Sequence, residues 1–201
     1  MLLVVAMLVR PEIDPVHKPV SEYAIGRHGW VQVLAFLTAA VSYGCLAVAV
    51  APAVRGRQRL GLGVLWVCAV GTAGVGLFVA DPVVTPLDRL SAGGTVHVIC
   101  GLSALVLLPV AAVLLGGTKA KWVPLGALVL PWGLSAVMPP EGVPPRLLFL
   151  GYACWVVTVA SRIVILSAQS ADMPHFGRPA LESRGMTWGR WGGGSRGRSA
   201  G

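Results

Sequence analysis

Apolar residues are gathered in long blocks along the chain, and short polar segments separate one block from the next. A helix needs about 20 predominantly apolar residues to cross the hydrocarbon core of a bilayer. Four blocks approach or exceed that length, and a fifth is shorter. The pattern predicts an all-α fold, a polytopic bundle of transmembrane helices, with spans at about residues 30–54, 60–80, 94–117, 122–138 and 147–168.

The first nine residues, MLLVVAMLV, are apolar but would extend only about 14 Å as a helix, which is too short to cross a bilayer. No basic segment precedes them and no small-residue cleavage site follows, so they do not have the features of a signal peptide. We interpret residues 1–9 as the second half of a first span whose beginning is missing. The predicted bundle, residues 1–168, therefore has five complete spans plus a truncated first span.

Composition supports a membrane location. Of the 201 residues, 55% are apolar and 12% are charged, whereas soluble domains have about 45–50% apolar and about 25% charged residues. Each of the four cysteines lies inside an apolar block, and no C-x-x-C spacing occurs. The cysteines therefore indicate neither a zinc ribbon nor a disulfide framework.

The distribution of charge predicts how the bundle is oriented. Most lysines and arginines occupy alternate connections, including Arg55, Arg57 and Arg59, and the C-terminal tail. The positive-inside rule places those segments in the cytoplasm. Most of the acids and histidines fall on the opposite, outer side. The sequence thus predicts a multi-pass protein of the cell (plasma) membrane with a cytoplasmic tail.

The tail, residues 169–201, combines glycine, arginine and tryptophan without apolar periodicity, which predicts disorder. Basic residues beside tryptophan suit an anionic inner leaflet. Its Arg-Gly repeats are too few to favour a nucleic-acid partner. Membrane lipids are the expected partners, and a homo-oligomer is compatible with the sequence.

Polar residues of the first outer loop are candidates for a site. Ser21 follows Pro19 and would cap a short interfacial helix, where Glu22 is favourable at the positive end. In a functional interpretation Ser21 is a nucleophile or a donor to a lipid headgroup, and Glu22 and His28 are its ligand-binding neighbours. Both interpretations fit the sequence.

Asp81 and His97 flank the connection between the spans 60–80 and 94–117. An acid at the C-terminal end of a helix faces the negative end of the dipole, so water, a basic partner or a metal should compensate Asp81. His97, in the first turn of the next span, is best kept as a neutral imidazole. A carboxylate that accepts a hydrogen bond from imidazole orients the ring and raises its basicity. We therefore expect an Asp81–His97 pair as a catalytic candidate together with Ser21.

Arg146 opens the last span from the outer side. Its default interpretation is snorkelling to the interface. A guanidinium also matches the geometry of a phosphate, so Arg146 is a candidate ligand-binding residue or a partner for Asp81.

Four segments together resemble a known family: "HKPVSEYAIGRHGWVQVLAFL" (17–37), "FVADP" (78–82), "GGTVHVICG" (93–101) and the basic-flanked last span. The shared pattern is S-E before the second span, an acid ending the third, and G-x-x-H opening the fourth. This pattern is similar to that of the bacterial and archaeal membrane family catalogued as domain of unknown function 998. The resemblance covers about residues 1–168 and implies a six-helix bundle, but no activity.

A more distant comparison is with metal-dependent membrane hydrolases of the alkaline-ceramidase type, which combine serine, aspartate and three histidines. Ser21, Asp81 and His97 are similar, but the last two spans contain no histidine. A zinc site needs at least three protein ligands, so His17 or His28 would have to be recruited. We assign no metal site, and the expected cofactor is none, with zinc as the alternative.

The sequence is compatible with two functions. The first is a non-enzymatic protein with a polar outer pocket that binds a lipid headgroup or a small molecule. The second is an intramembrane hydrolase or transferase that uses the His97–Asp81 pair. A transporter is disfavoured because the spans show no repeated halves and few polar residues at mid-membrane depth.

Overall fold

The computed structural model describes residues 2–116, 121–134 and 142–171. Within these ranges the chain forms six α-helices and two short 3₁₀ turns, and no strand. The turns are Val20–Ala24 and Leu87–Arg89. The helices are α1 (Leu2–Val9), α2 (Trp30–Val50), α3 (Gln58–Leu77), α4 (Ala92–Leu115), α5 (Trp122–Leu134) and α6 (Val143–Ala171).

Four of these helices are long and apolar enough to cross a membrane: α2, α3, α4 and the segment Val143–Ile165 of α6. The all-α fold with several membrane-spanning helices is thereby confirmed. The count of five complete spans is not, because α5 has 13 residues and rises only about 20 Å. The end of that predicted span, 135–138, and the predicted tail from residue 172 onward lie outside the described residues.

Several helix ends differ from the sequence prediction, and three of them lie near the candidate residues. α3 ends at Leu77 because Phe78 takes an extended conformation, φ −106° and ψ 107°. α4 begins two residues before the predicted start because Ser91 caps it, with its side chain accepting from the Gly94 amide. α6 begins at Val143 and has prolines in its first turn, which is allowed because amides there lack a helical partner.

Helix α3 packs closely against α4 and α2, its most extensive neighbours. A Cβ added to Gly61 would lie 2.9 Å from Leu114 Cβ, and one added to Gly74 would lie 2.6 Å from Cys100 Sγ. Ala69 and Thr72 are buried in the same helix, and such small residues let neighbouring helices approach closely. Tyr152 and Trp155 of α6 complete the main buried cluster.

The candidate residues gather at one end of the bundle. There Glu22 Oε1 accepts from the Val83 amide at 3.1 Å, and Arg146 Nη1 donates to the Lys18 carbonyl at 3.1 Å. At the opposite end Gln58 Nε2 donates to the Leu115 carbonyl at 3.0 Å. We call the first end, formed by residues 10–29, 78–91 and 142–146, the acidic end.

Candidate functional site

Asp81 binds the N-terminus of α4. Its Oδ2 accepts from the Ser91 amide at 2.6 Å, and its Oδ1 accepts from the Ser91 hydroxyl at 3.0 Å. Ser91 Oγ in turn accepts from the Gly94 amide at 2.9 Å. The carboxylate therefore lies at the positive end of a helix, where a negative charge is stabilising.

This arrangement corrects the expectation that Asp81 opposes the dipole of the preceding helix. Asp81 lies four residues beyond Leu77, the last residue of α3, and Pro82 favours extended backbone at the residue before it. The extended segment carries the carboxylate across to α4. The compensation for the charge is thus a helix N-terminus and a serine.

His97 binds a different group from the one predicted. Its Nδ1 lies 2.7 Å from the carbonyl oxygen of Phe78, the residue that follows the last turn of α3. Carbonyls at a helix C-terminus have no intrahelical donor, so the imidazole supplies one. Since a carbonyl only accepts, Nδ1 carries a proton, and in the neutral imidazole Nε2 then presents a lone pair.

The predicted Asp81–His97 hydrogen bond does not occur in the part of the chain that the structure describes. Asp81 is engaged by Ser91 and His97 by Phe78, because α3 ends earlier and α4 begins earlier than the apolar blocks suggest. The imidazole is still held in one orientation. A backbone carbonyl holds it, rather than a carboxylate.

Glu22 and Arg146 fasten the first loop to the bundle. Glu22 contacts Val83 N and lies 3.3 Å from Lys18 Nζ. Arg146 Nη1 donates to the carbonyls of Lys18 and Gly142, and its guanidinium carbon lies 5.6 Å from the centre of the Tyr23 ring. Among the described residues, Arg146 Nε and Nη2 are buried without a hydrogen-bond partner.

Charged residues at the beginning of the first loop form two pairs. Asp14 Oδ2 lies 2.6 Å from His17 Nδ1, and Arg10 Nε donates to Glu12 at 2.6 Å. The pKa of Asp14 is lowered mainly by the Val16 amide, and the pKa of Glu12 is lowered mainly by the Arg10 guanidinium. Within the described ranges no three His, Cys, Asp or Glu side chains cluster as metal ligands would.

A cavity of about 440 Å³ runs from the acidic end into the bundle, between α2, α3, α4 and α6. Its volume falls in the range of small-molecule sites. Along α2 its lining extends from Gln32 to Tyr43, a rise of about 17 Å. Val157 lines the cavity and yet is 63% exposed, so the cavity opens on the flank of the bundle.

The cavity separates the sequence-predicted residues into two groups. Ser21 and His97 line it, whereas Asp81, Glu22, His28 and Arg146 are not among the residues that line it. Asp81, Glu22 and Arg146 position the loops around its end, and His28 is exposed. The six candidates therefore do not form a single site.

Gln32 is the residue that sequence reasoning missed. It is 2% exposed, lines the cavity, and its Oε1 has no hydrogen-bond partner among the described residues. A buried polar atom without a partner costs free energy of about 1–3 kcal/mol. An amide three residues inside an apolar span was the available signal, because polar groups within spans usually face a cavity or a partner.

Comparison with known proteins identifies the family. The model of the family described as "Protein of unknown function (DUF998)" matches residues 1–162. The chain belongs to this family, as the motifs around Ser21, Asp81 and His97 indicated. No curated protein and no solved structure matches the chain.

Proposed function

We propose that this member of the DUF998 family binds a membrane lipid in the cavity, with the headgroup near Gln32 and His97 and an acyl chain along α2 and α6. The observation that carries the proposal is the buried, unpartnered Oε1 of Gln32 at the wall of an otherwise largely apolar cavity. A polar group of the ligand would satisfy that atom and remove its desolvation penalty.

The position of the opening favours a lipid over a solute from water. Val20 is 4% exposed and lines the cavity at the acidic end, where the first loop covers the bundle. Val157, by contrast, belongs to both the cavity wall and the outer surface of α6. A ligand therefore enters from the flank of the helices, where lipid chains lie if these helices span the bilayer.

We also propose an orientation. Arg55 and Arg57 lie between α2 and α3, and Arg59 lies in the first turn of α3, at the end opposite the acidic end. By the positive-inside rule, this end and the C-terminal tail would be cytoplasmic. In a variant with its native cysteines replaced, we expect Arg89→Cys to react with an impermeant maleimide on intact cells. Arg57→Cys should react only after the cells are opened; the reverse pattern would invert the orientation.

Filling the cavity tests lipid binding. Ala39 lines the cavity, and Val41, two residues away, is 64% exposed. We expect Ala39→Phe to abolish cross-linking to a phospholipid with a photoreactive acyl chain in reconstituted bilayers, because the ring occupies the chain's volume. Val41→Phe should cross-link like the parent protein.

The readout must separate lost binding from misfolding. Thermal unfolding and size-exclusion profiles of the two phenylalanine variants are compared, and Ala153→Phe provides a second way of filling the cavity from α6. Undiminished cross-linking in folded Ala39→Phe and Ala153→Phe would show that lipid does not occupy the cavity.

A second candidate function is a lipid hydrolase, and the free Nε2 of His97 favours it. With Nδ1 donating to the Phe78 carbonyl, Nε2 is available as a general base toward water. Water would add across an ester, giving a fatty acid and a lysolipid. Mass spectrometry of the same bilayers would then show these products for the parent protein and not for the His97→Ala variant. If the parent protein gives no such products, it is not a hydrolase and lipid binding is its function.

A further inference from the structure

We propose that the headgroup held in this cavity is a hydrogen-bond donor, such as an ammonium or a free hydroxyl, rather than a group that only accepts. This inference rests on the proposed function, since it names the chemistry of the lipid bound there. It follows from two acceptor atoms of the cavity wall, His97 Nε2 and Gln32 Oε1, that have no donor among the described residues.

The first acceptor is His97. The ring is 8% exposed, and its Nδ1 proton is used on the Phe78 carbonyl at 2.7 Å. Nε2 is left with a lone pair and no hydrogen bond among the described residues. Only a donor can satisfy it.

The second acceptor is Gln32 Oε1, which is buried and unpartnered. Phe36 follows Gln32 by four residues and so lies on the same face of α2. The Phe36 ring packs edge-on against His97, with the ring centres 6.3 Å apart. Gln32 and His97 are therefore both neighbours of Phe36, at the end of the cavity nearest the acidic end.

Two hydroxyls deeper in the cavity have also used their protons. Tyr152 donates to the Leu105 carbonyl at 2.5 Å, and Ser42 donates to the Thr38 carbonyl at 2.8 Å. Both oxygens keep lone pairs. Ser21, Tyr43 and Thr72 also line the cavity, and their hydroxyls have no hydrogen bond among the described residues. All five hydroxyl oxygens can therefore accept from the contents of the cavity, and these three can also donate.

Positive charge is absent from the cavity wall. Among the residues described, no lysine or arginine lines it. Arg146 is bound to the Lys18 and Gly142 carbonyls outside the lining. A headgroup that presents only a phosphate would find no countercharge in the wall and would leave Gln32 Oε1 and His97 Nε2 without a donor, which is unfavourable in a desolvated site.

Phosphatidylethanolamine and phosphatidylcholine with identical chains provide the test, because they share the phosphate and differ in the N–H donors. Competition against the photoreactive phospholipid is measured in bilayers that contain the full chain. We expect phosphatidylethanolamine, diacylglycerol, or both, to compete about tenfold better than phosphatidylcholine. A tenfold difference in affinity is the effect expected when one buried acceptor gains a hydrogen bond. The two donors report whether an ammonium or a hydroxyl is preferred.

A matched pair of variants locates the effect. Gln32→Leu should bring the phosphatidylethanolamine to phosphatidylcholine ratio close to one while phosphatidylcholine still binds. Thr158→Val removes a hydroxyl on α6 that bonds Cys154 and is not in the lining, and should keep the ratio. If Gln32→Leu does not fold, His97→Phe replaces it, since it removes the other acceptor.

The outcomes separate this inference from the proposed function. Equal competition by phosphatidylethanolamine, diacylglycerol and phosphatidylcholine would overturn the donor inference and leave lipid binding in place. Preference for phosphatidic acid over all three would overturn it in favour of an anion. Failure of every lipid to compete would overturn the proposed function itself.

Discussion

Replacing Gly94 with alanine is expected to lower the free energy of unfolding by about 2 kcal/mol, although alanine is the better helix former. A Cβ at Gly94 would lie 2.1 Å from Asp81 Oδ2 and 2.7 Å from its Cγ. The carboxylate must withdraw, which breaks its two hydrogen bonds to Ser91. Hydrogen bonds to charged groups contribute about 1.5–3 kcal/mol, which exceeds the gain in helix propensity of about 1 kcal/mol.

Gly93 is the control for this change. A Cβ there meets only Ser91 Oγ at 3.7 Å, an ordinary contact. Gly93→Ala should therefore leave stability unchanged or raise it by up to about 1 kcal/mol. Denaturant or thermal unfolding in one detergent compares the adjacent substitutions, and equal effects at the two glycines would contradict the structure.

A double-mutant cycle identifies the cause. Asp81→Ala alone should destabilise, because α4 loses its carboxylate cap. In the Asp81→Ala background, Gly94→Ala should not lower the free energy of unfolding further, because the carboxylate that the added Cβ would meet is absent. Additive losses would mean that the effect of alanine at Gly94 does not arise from Asp81.

Replacing Gly142 with alanine is expected to lower the free energy of unfolding by about 2–4 kcal/mol, a larger loss than at Gly94. A Cβ there would lie 1.7 Å from the Val16 carbonyl oxygen and 2.9 Å from that of Pro15. Backbone cannot yield as a flexible side chain does, so the first loop must leave α6. The Arg146–Lys18 hydrogen bond would then break, and the neighbouring residues 19–21 would move from the cavity end.

The loop itself supplies a local measurement. Glu22 is 13% exposed and bound to Lys18 and Val83, which should protect the bond after it from a glutamate-specific protease. Gly142→Ala should speed cleavage there at least tenfold at temperatures below global unfolding. In the Gly63→Ala variant the added Cβ meets nothing within 4 Å, so this variant should be cleaved at the parental rate. Equal cleavage rates for the Gly63→Ala and Gly142→Ala variants would refute the docking of the loop on Gly142.

The sequence predicts the helices of this protein well and the contacts of its polar residues poorly. Blocks of apolar residues locate α2, α3, α4 and α6 because spanning a bilayer demands length and hydrophobicity. The partners of Asp81 and His97 depend on where α3 ends and α4 begins. Shifts of two or three residues at Leu77 and Ala92 exchange one partner for another.

Gln32 shows the other limit of sequence reasoning. Its polarity inside an apolar span was visible, but the direction of its side chain was not. Helix α2 is apolar on all sides, so no periodic pattern shows which face turns inward. That rotation is set by packing against α3, where Gly76 meets Phe36 and Leu37.

The flank opening at Val157 has a consequence for how affinity is expressed. A ligand that arrives sideways is already dissolved in the membrane, so its chemical potential depends on its mole fraction among the surrounding lipids. A dissociation constant in moles per litre of buffer would change with the amount of bilayer added. If the dissociation constant is expressed as a mole fraction in the membrane, it would stay fixed. A soluble headgroup without its acyl chain would not partition into the bilayer and would be a weak competitor at any bulk concentration.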